Sequence, residues 1–447
     1  MNKHVLALIL KLALGIFCGV LALSACNNSP AATPTATPTL APTPTAVSHV
    51  YQQVLGEVWT TVNQTYFDPD FGGVNWDAVY KEYRLLVETA GDDEAFYQLL
   101  NQMLWELNVS HVGVGPVTVW PSIEPVVWEN GETGIDVRLL DGQAVITRVE
   151  AGSPAEQAEL RPGFIIQSID RTSVEQLLAE TQDHLAPPYN DQSRIDQLTR
   201  SLLRMVYGDP GKCVTLAYLD ERNELQEDCI NRVSRPRTGQ MGDVLPPAYL
   251  EFESQRLTNS IGYIRFNTFH PDLIPDMVAA VAALQDAPGI IIDLRGNPGG
   301  DPTACEQLAA QFLGEQEVLF GSFKTRSGII DRRVTGENVY PGPLVVLIDA
   351  LSFSGSEYFS AGMQELGRGV IIGERSPGGL TAMNVTSLSD GAILGFPVAQ
   401  LLTPDGMALE GYGVIPDITV FLERDQLLSG YDAQLQAAID TILEIGQ

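Results

Sequence analysis

The chain reads as an α+β protein of several domains, and three stretches say so. Between Ser48 and Asn108 apolar residues recur every three or four positions, from Gly134 to about Val233 short alternating strands run through glycine turns, and from Asn259 β-branched runs alternate with helix-like segments. With 447 residues there is room for two or three domains. The formal net charge of −30 argues against a nucleic-acid partner.

Met1 to Cys26 has the make-up of a secretory signal: Lys3, a mostly apolar stretch, then Leu23-Ser24-Ala25-Cys26. That ending resembles a bacterial lipobox, which makes Cys26 the lipidated first residue of the mature chain and gives it a membrane anchor. An uncleaved anchor helix is the other reading, and either one puts the rest of the chain outside the cytoplasm. A Pro/Thr-rich tether follows from Asn27 to about Val47, too polar to build a core.

In the helical region, Val50, Val54, Val58 and Val62 make one stripe, and Phe96, Leu99, Leu100, Met103 and Leu104 a second. Phe67-Asp68-Pro69-Asp70-Phe71-Gly72-Gly73 is a turn between them. The region closes on Ser110-His111, where helix should give way to strand. Of the other histidines, His4 lies in the signal, His49 at the edge of the tether and His184 in a polar loop, so His270, after a strand, is the serious competitor for chemistry.

The β-rich module has a hairpin at Asp141-Gly142, a Gly152-Ser153-Pro154 turn into a short helix, and another strand after Arg161-Pro162-Gly163. Val174 to Gly208 reads partly helical and has no clear place in it. Cys213 and Cys229 lie almost equally far from the polar Asp220-Glu221-Arg222-Asn223 turn, which would set them opposite each other in a hairpin. A cross-strand disulfide and two free thiols both fit that placement. Cys305 has no mate.

From Asn259 the expected order is a strand over Ile261–Phe266, a helix over Leu273–Leu284, and a buried strand over Gly289–Leu294. That strand enters Arg295-Gly296-Asn297-Pro298-Gly299-Gly300, a turn able to bring backbone N–H groups to a ligand. No Gly-Lys-Ser/Thr follows, which argues against a phosphate loop. Leu344–Ile348 is another buried strand, and a helix-like segment separates it from the apolar run Gly367–Gly373. Between the first strand and the helix stand Ser352, Ser354 and Ser356. A serine there faces the unpaired N–H groups and positive end of a helix, where an oxyanion is stabilised, although a serine at such a place can also be a simple cap. Glu410 lies in a turn between apolar segments.

Five segments, LNVSHVGV, GSPAEQAELRPGFIIQSID, IIDLRGNPGG, SFSGSEYF and LEGYGVIPD, occur in this order and together resemble the carboxyl-terminal processing (tail-specific, tricorn-like) serine proteases of peptidase family S41. The resemblance covers about residues 50 to 425. It implies an N-terminal helical region (48–117), a PDZ-like β domain (118–235), an αβ-spiral, crotonase-like protease core (250–430) and a C-terminal helix (431–447), after the signal (1–26) and linker (27–47). In the PDZ-like domain, Gly134 and Ile135 would receive the terminal carboxylate of a peptide substrate added as a strand, and Glu159 stands where the pattern has glycine.

One branch of the family uses a serine and a lysine, but Gly379 occupies the lysine's place and no lysine follows Lys324. The other branch uses a histidine preceded by serine, a nucleophilic serine and a glutamate. The matching residues are His111 with Ser110, Ser354, which lies three residues before Glu357, and Glu410. In this reading His111 is the general base, Glu410 lies behind its ring and Ser110 helps orient it, while the N–H groups of Gly355 and of Gly299 or Gly300 form the oxyanion hole. No metal or cofactor is called for. The implied activity is hydrolysis of proteins or peptides with exposed C-termini, and a catalytically silent binding protein on the same fold is the rival.

Overall fold

The computed structural model describes residues 44–116, 131–182, 185, 187, 190–240 and 242–446. The signal, Cys26, most of the tether, His184 and the start of the expected PDZ-like domain lie outside the described residues. Residues Thr45 to Gln447 form one compact unit. Among the described residues no helix is long and apolar enough to cross a membrane.

Three helices open this unit, at Pro44–Thr65, Trp76–Leu86 and Asp93–Trp105. Asn75 and Asp92 cap the second and third by accepting the N–H groups of Ala78 and Ala95. Val54, Val58 and Val62 are buried with Phe96, Leu100, Met103 and Leu104, whereas Val50, the first of the expected stripe, is exposed. The same cluster takes in Leu394 and Phe396, so the helices pack on a strand contributed by the far end of the chain. That strand, Ile393–Leu402, pairs with Gly113–Gly115, Val318–Thr325 and Thr381–Ser387, and Gly328–Val334 extends the sheet.

The β-rich module runs in the strand order Ile135–Leu140, Gln143–Val149, Ile165–Ile169, Cys213–Leu219, Leu225–Asn231. Glu159 adopts φ 59°, a left-handed conformation that explains the glycine of the related pattern. The stretch without a clear place resolves into two helices, Val174–Gln182 and Asp191–Val206, of which the second packs on Ile135–Leu140. Cys213 and Cys229 form a disulfide, but they are not opposite each other. Cys213 faces Asn231 and Thr215 faces Cys229, because the turn is centred on Arg222; the bond crosses the ladder diagonally with a Cα–Cα distance of 5.5 Å.

The core sheet runs Phe252–Arg256, Gly262–Phe266, Ile290–Asp293, Leu344–Ile348, Val370–Gly373, Ile418–Thr419, all parallel except the first. Alternation along the strands serves two layers. Ile290, Ile292 and Val346 pack with Met277, Leu308 and Phe359 from three helices, while Ile291, Val345 and Leu347 meet Ala438 and Ile442 of the C-terminal helix Ala433–Ile445. This two-sided burial is why the strands read as unbroken apolar runs. Two parallel strands, Ile290–Asp293 and Leu344–Ile348, are neighbours and end side by side, so the turns after them meet.

Candidate active site

The turn after Leu344–Ile348 is held by its own polar residues. Asp349 accepts the N–H groups of Gly296 and Leu351 at 2.9 and 3.0 Å, and Ser352 donates to the Leu294 carbonyl at 2.8 Å. Ser356 donates to the Asn297 carbonyl at 2.9 Å. Ser352 and Ser356 are fully buried and engaged in this way, so of the three serines only Ser354 is half-exposed. It precedes the helix Gly355–Glu365 with φ 53° and ψ −112°, outside the regions comfortable for an L-residue, a strain of the kind that concentrates at functional sites.

His111 follows the N-terminal helices. The buried Asn101 side chain accepts the Val114 N–H at 2.9 Å and donates to the Val114 carbonyl at 2.8 Å, which ties the strand after His111 to its helix. His111 itself has φ 57°. Its Nε2 lies 3.0 Å from Ser354 Oγ and its Nδ1 2.7 Å from Ser110 Oγ. Ser110 donates its hydroxyl to Glu410 Oε2 at 3.0 Å and its N–H to Oε1 at 2.6 Å, and Leu380 N–H also reaches Oε2 at 2.6 Å. Glu410 is therefore linked to the imidazole through Ser110 and does not lie directly behind the ring, as the sequence reading had it. Burial lowers His111 to about 4 and raises Glu410 to about 7, the latter opposed by hydrogen bonds from Ser110 and Leu380. His270 is fully buried, with Nδ1 accepting the Asp272 N–H, and caps a short helical turn.

The glycine-rich turn meets the Ser354-Gly355 turn closely. A Cβ on Gly299 would fall 2.3 Å from Gly355 N, and one on Gly355 would fall 3.0 Å from Gly300 N. Gly299 N–H is already donated to Asn297 Oδ1 at 2.8 Å, so Gly299 is not available as an oxyanion donor. Gly300 N–H has no acceptor among the described residues, and Gly355, as the first residue of its helix, has an N–H with no intrahelical acceptor. Cys305 is buried behind this turn, with its thiol donating to the Gly355 carbonyl.

Glu357 served in the sequence only to locate Ser354, yet it organises the turn. Its carboxylate accepts Ser354 N–H at 2.9 Å, Ser376 hydroxyl at 2.5 Å, Gly378 N–H at 2.7 Å and Gly379 N–H at 2.9 Å. An acid three residues into a helix was the available signal; the loop it would hold was not.

Gly134 and Ile135 lie at a corner of the module and line a narrow polar cavity with Gly296, Asn297 and Pro298. The Ile135 side chain is buried and its carbonyl accepts Tyr207 hydroxyl at 3.3 Å. From the same strand Arg138 pairs with Asp349 at 2.6 Å, and Arg200 of the neighbouring helix donates to the Leu351 carbonyl at 2.9 Å. Leu351 is itself buried in the module's hydrophobic cluster.

A histidine hydrogen-bonded to a serine at the start of a helix, within an α+β fold, is an arrangement compatible with a serine-type peptidase. Residues 260–420 match the pattern of peptidase family S41, and residues 49–105 match the tricorn protease C1 domain. The chain is 27% identical over 412 residues to a carboxyl-terminal-processing protease of Synechocystis sp., covering 89% of this chain and 88% of that protein. It is 25% identical over 384 residues to a chloroplastic carboxyl-terminal-processing peptidase 3 of Arabidopsis thaliana, covering 82% and 68%. The solved photosystem II D1 C-terminal processing protease has a similar fold, with a TM-score of 0.55, 21% identity, and coverage of 89% of this chain and 97% of that one. Residues 260–420 thus carry the pattern of peptidase family S41, the chain is similar over most of its length to carboxyl-terminal-processing proteases, and it is a hydrolase of the serine peptidase type.

Proposed function

We propose that this chain is an extracytoplasmic serine endopeptidase of the C-terminal processing type, lipid-anchored through Cys26, that cleaves proteins or peptides by a Ser354–His111–Glu410 mechanism. The observation that carries the reading is the unbroken hydrogen-bonded chain Ser354, His111, Ser110, Glu410. With the proton of the neutral imidazole on Nδ1, directed at Ser110, Nε2 is free to take the proton of Ser354 as Oγ attacks the scissile carbonyl. The imidazolium that forms is supported through the Ser110 hydroxyl by the Glu410 carboxylate. The oxyanion meets Gly355 and Gly300 N–H, and the helix dipole favours the same charge. His111 then protonates the leaving amine, and water repeats the sequence on the acyl-enzyme.

In this reading the β-rich module, with its Gly134-Ile135 corner, recruits substrates by an exposed apolar C-terminus. The Arg138–Asp349 pair and the burial of Leu351 favour a second role, in which the module also governs the nucleophile turn it touches. The test is labelling of the full-length protein with a fluorophosphonate. Labelling that is lost in Ser354→Ala and His111→Ala supports a histidine-activated serine. A folded wild type that stays unlabelled even with an added peptide bearing a free apolar C-terminus favours the silent binding protein. Incorporation of a fatty-acid analogue that survives in Cys26→Ala would overturn the anchor.

A further inference from the structure

The residue before the nucleophile does something the hydrogen-bonded chain does not require. The ring of Phe353 lies against the imidazole of His111, with centroids 4.9 Å apart and planes 19° from parallel. Its edge covers Gly379 so closely that a Cβ there would fall 2.0 Å from Phe353 Cε2 and 2.1 Å from Cζ. The Phe353 backbone is held as well, its N–H on the Asn297 carbonyl at 3.1 Å and its own carbonyl accepting Ser356 N–H at 3.0 Å. Gly379 in turn is fastened to Glu357 by its N–H. The aromatic ring is therefore lodged between a fixed loop and the base.

Two hydrogen bonds, at Nδ1 and Nε2, leave an imidazole free to rock about the line joining those atoms. A ring stacked on one face removes that freedom and excludes water from the face it covers. Strand and helix supply no such restraint here, because His111 stands in a left-handed conformation just outside the Gly113–Gly115 strand.

We propose that Phe353 is a positioning residue for the base: stacked on His111 and seated over Gly379, it sets the tilt of the imidazole so that Nε2 stays aimed at Ser354 Oγ. The proposal rests on the reading of Ser354 and His111 as nucleophile and base. The lowered pKa of His111 agrees with a covered ring. Of the charged groups packed around this site, Glu410 reaches the imidazole through Ser110, and Glu357 holds the Ser354 N–H. Gly379 is then glycine for a reason unconnected with backbone torsion, since any side chain there displaces Phe353.

The experiment uses the full-length protein, with peptide hydrolysis and a ¹⁵N-histidine NMR titration measured side by side; the His111 signal is assigned by its loss in His111→Ala. In Phe353→Ala, kcat should fall about 10- to 100-fold with KM changed less than about threefold. The His111 midpoint should rise by about one unit as water reaches the ring. Phe353→Tyr, which keeps the ring, should recover most of both effects, and Gly379→Ala, which keeps Phe353 but evicts it, should reproduce them. Unchanged midpoints in both Phe353→Ala and Gly379→Ala overturn the proposal, as does a Phe353→Tyr variant as impaired as Phe353→Ala. Should Phe353→Ala fail to fold, Gly379→Ala and Phe353→Leu decide by the same two readouts. A wild type that neither hydrolyses nor labels at Ser354 defeats the peptidase reading alone, because the titration still reports whether Phe353 governs the imidazole.

Discussion

Glu357 and Glu410 both hold the same loop and are alike in most respects. Both are acids that burial raises to about 7, and both accept backbone N–H groups from residues 378–380. Their remaining partners differ. Glu357 holds Ser354 N–H and the Ser376 hydroxyl and makes no hydrogen bond to His111 or Ser110 among the described residues, whereas Glu410 holds Ser110, whose hydroxyl touches His111. The same burial and the same side chain thus serve two ends. On the proposed mechanism one carboxylate fixes the backbone that carries the nucleophile, and the other is coupled to the charge that would appear on the base.

Mutation should pull the two sides apart. The largest loss is expected at the Ser354–His111 pair: Ser354→Ala and His111→Ala should each reduce hydrolysis on the order of 10⁴-fold or more, with the fold intact by thermal melting. His270→Ala should keep the activity; the reverse pattern would show that the wrong histidine has been assigned.

Glu410→Gln comes next, with a loss of roughly 10²- to 10³-fold in kcat and little change in melting temperature. Its pH profile is the sharper test. Above about 4 His111 is already neutral, so wild-type rate should rise with pH through about 7 as Glu410 ionises and can support the imidazolium. In Glu410→Gln that limb should vanish and leave only the one near 4. A limb at 7 that persists in the variant would mean that another group is responsible.

Glu357→Gln should behave differently. An amide presents donors to N–H groups that need acceptors, so the turn loosens. Activity should fall about 10- to 100-fold together with a lower melting temperature, while the pH limb stays where it was. The smallest effect on rate is expected far from both glutamates. Replacing Cys213 and Cys229 by serine opens a loop whose ends are 16 residues apart, worth about 3 kcal/mol by chain entropy. Melting temperature should drop while the rate at room temperature is unchanged, and a large loss of rate would tie the module to the site more tightly than its contacts suggest.

Much of this molecule is local and could be read residue by residue. The strands Gly262–Phe266, Ile290–Asp293 and Leu344–Ile348 appear within a residue or two of their apolar runs, since strands buried on both faces admit nothing else. Ser354 and the Ser110-His111 pair each stand at the end of an element, but it was the resemblance to the S41 proteases that singled them out from Ser352, Ser356 and His270. Val50 misled because helical spacing continues past the point where anything covers it, and the cysteine pair was displaced because the true centre of a turn depends on the ladder that closes it.

By itself, the order of residues determined most of the elements and roughly where they stop, because periodicity, turn residues and helix starts act over a few neighbours. Only the tertiary structure decided how the side chains of the site are connected: that Ser110 stands between His111 and a glutamate 300 residues away, that Asn297 takes the Gly299 N–H, that Glu357 grips the loop behind Gly379, and that Phe353 covers the base. A hydrogen bond or a ring stack is set to a fraction of an ångström by the packing of whole layers.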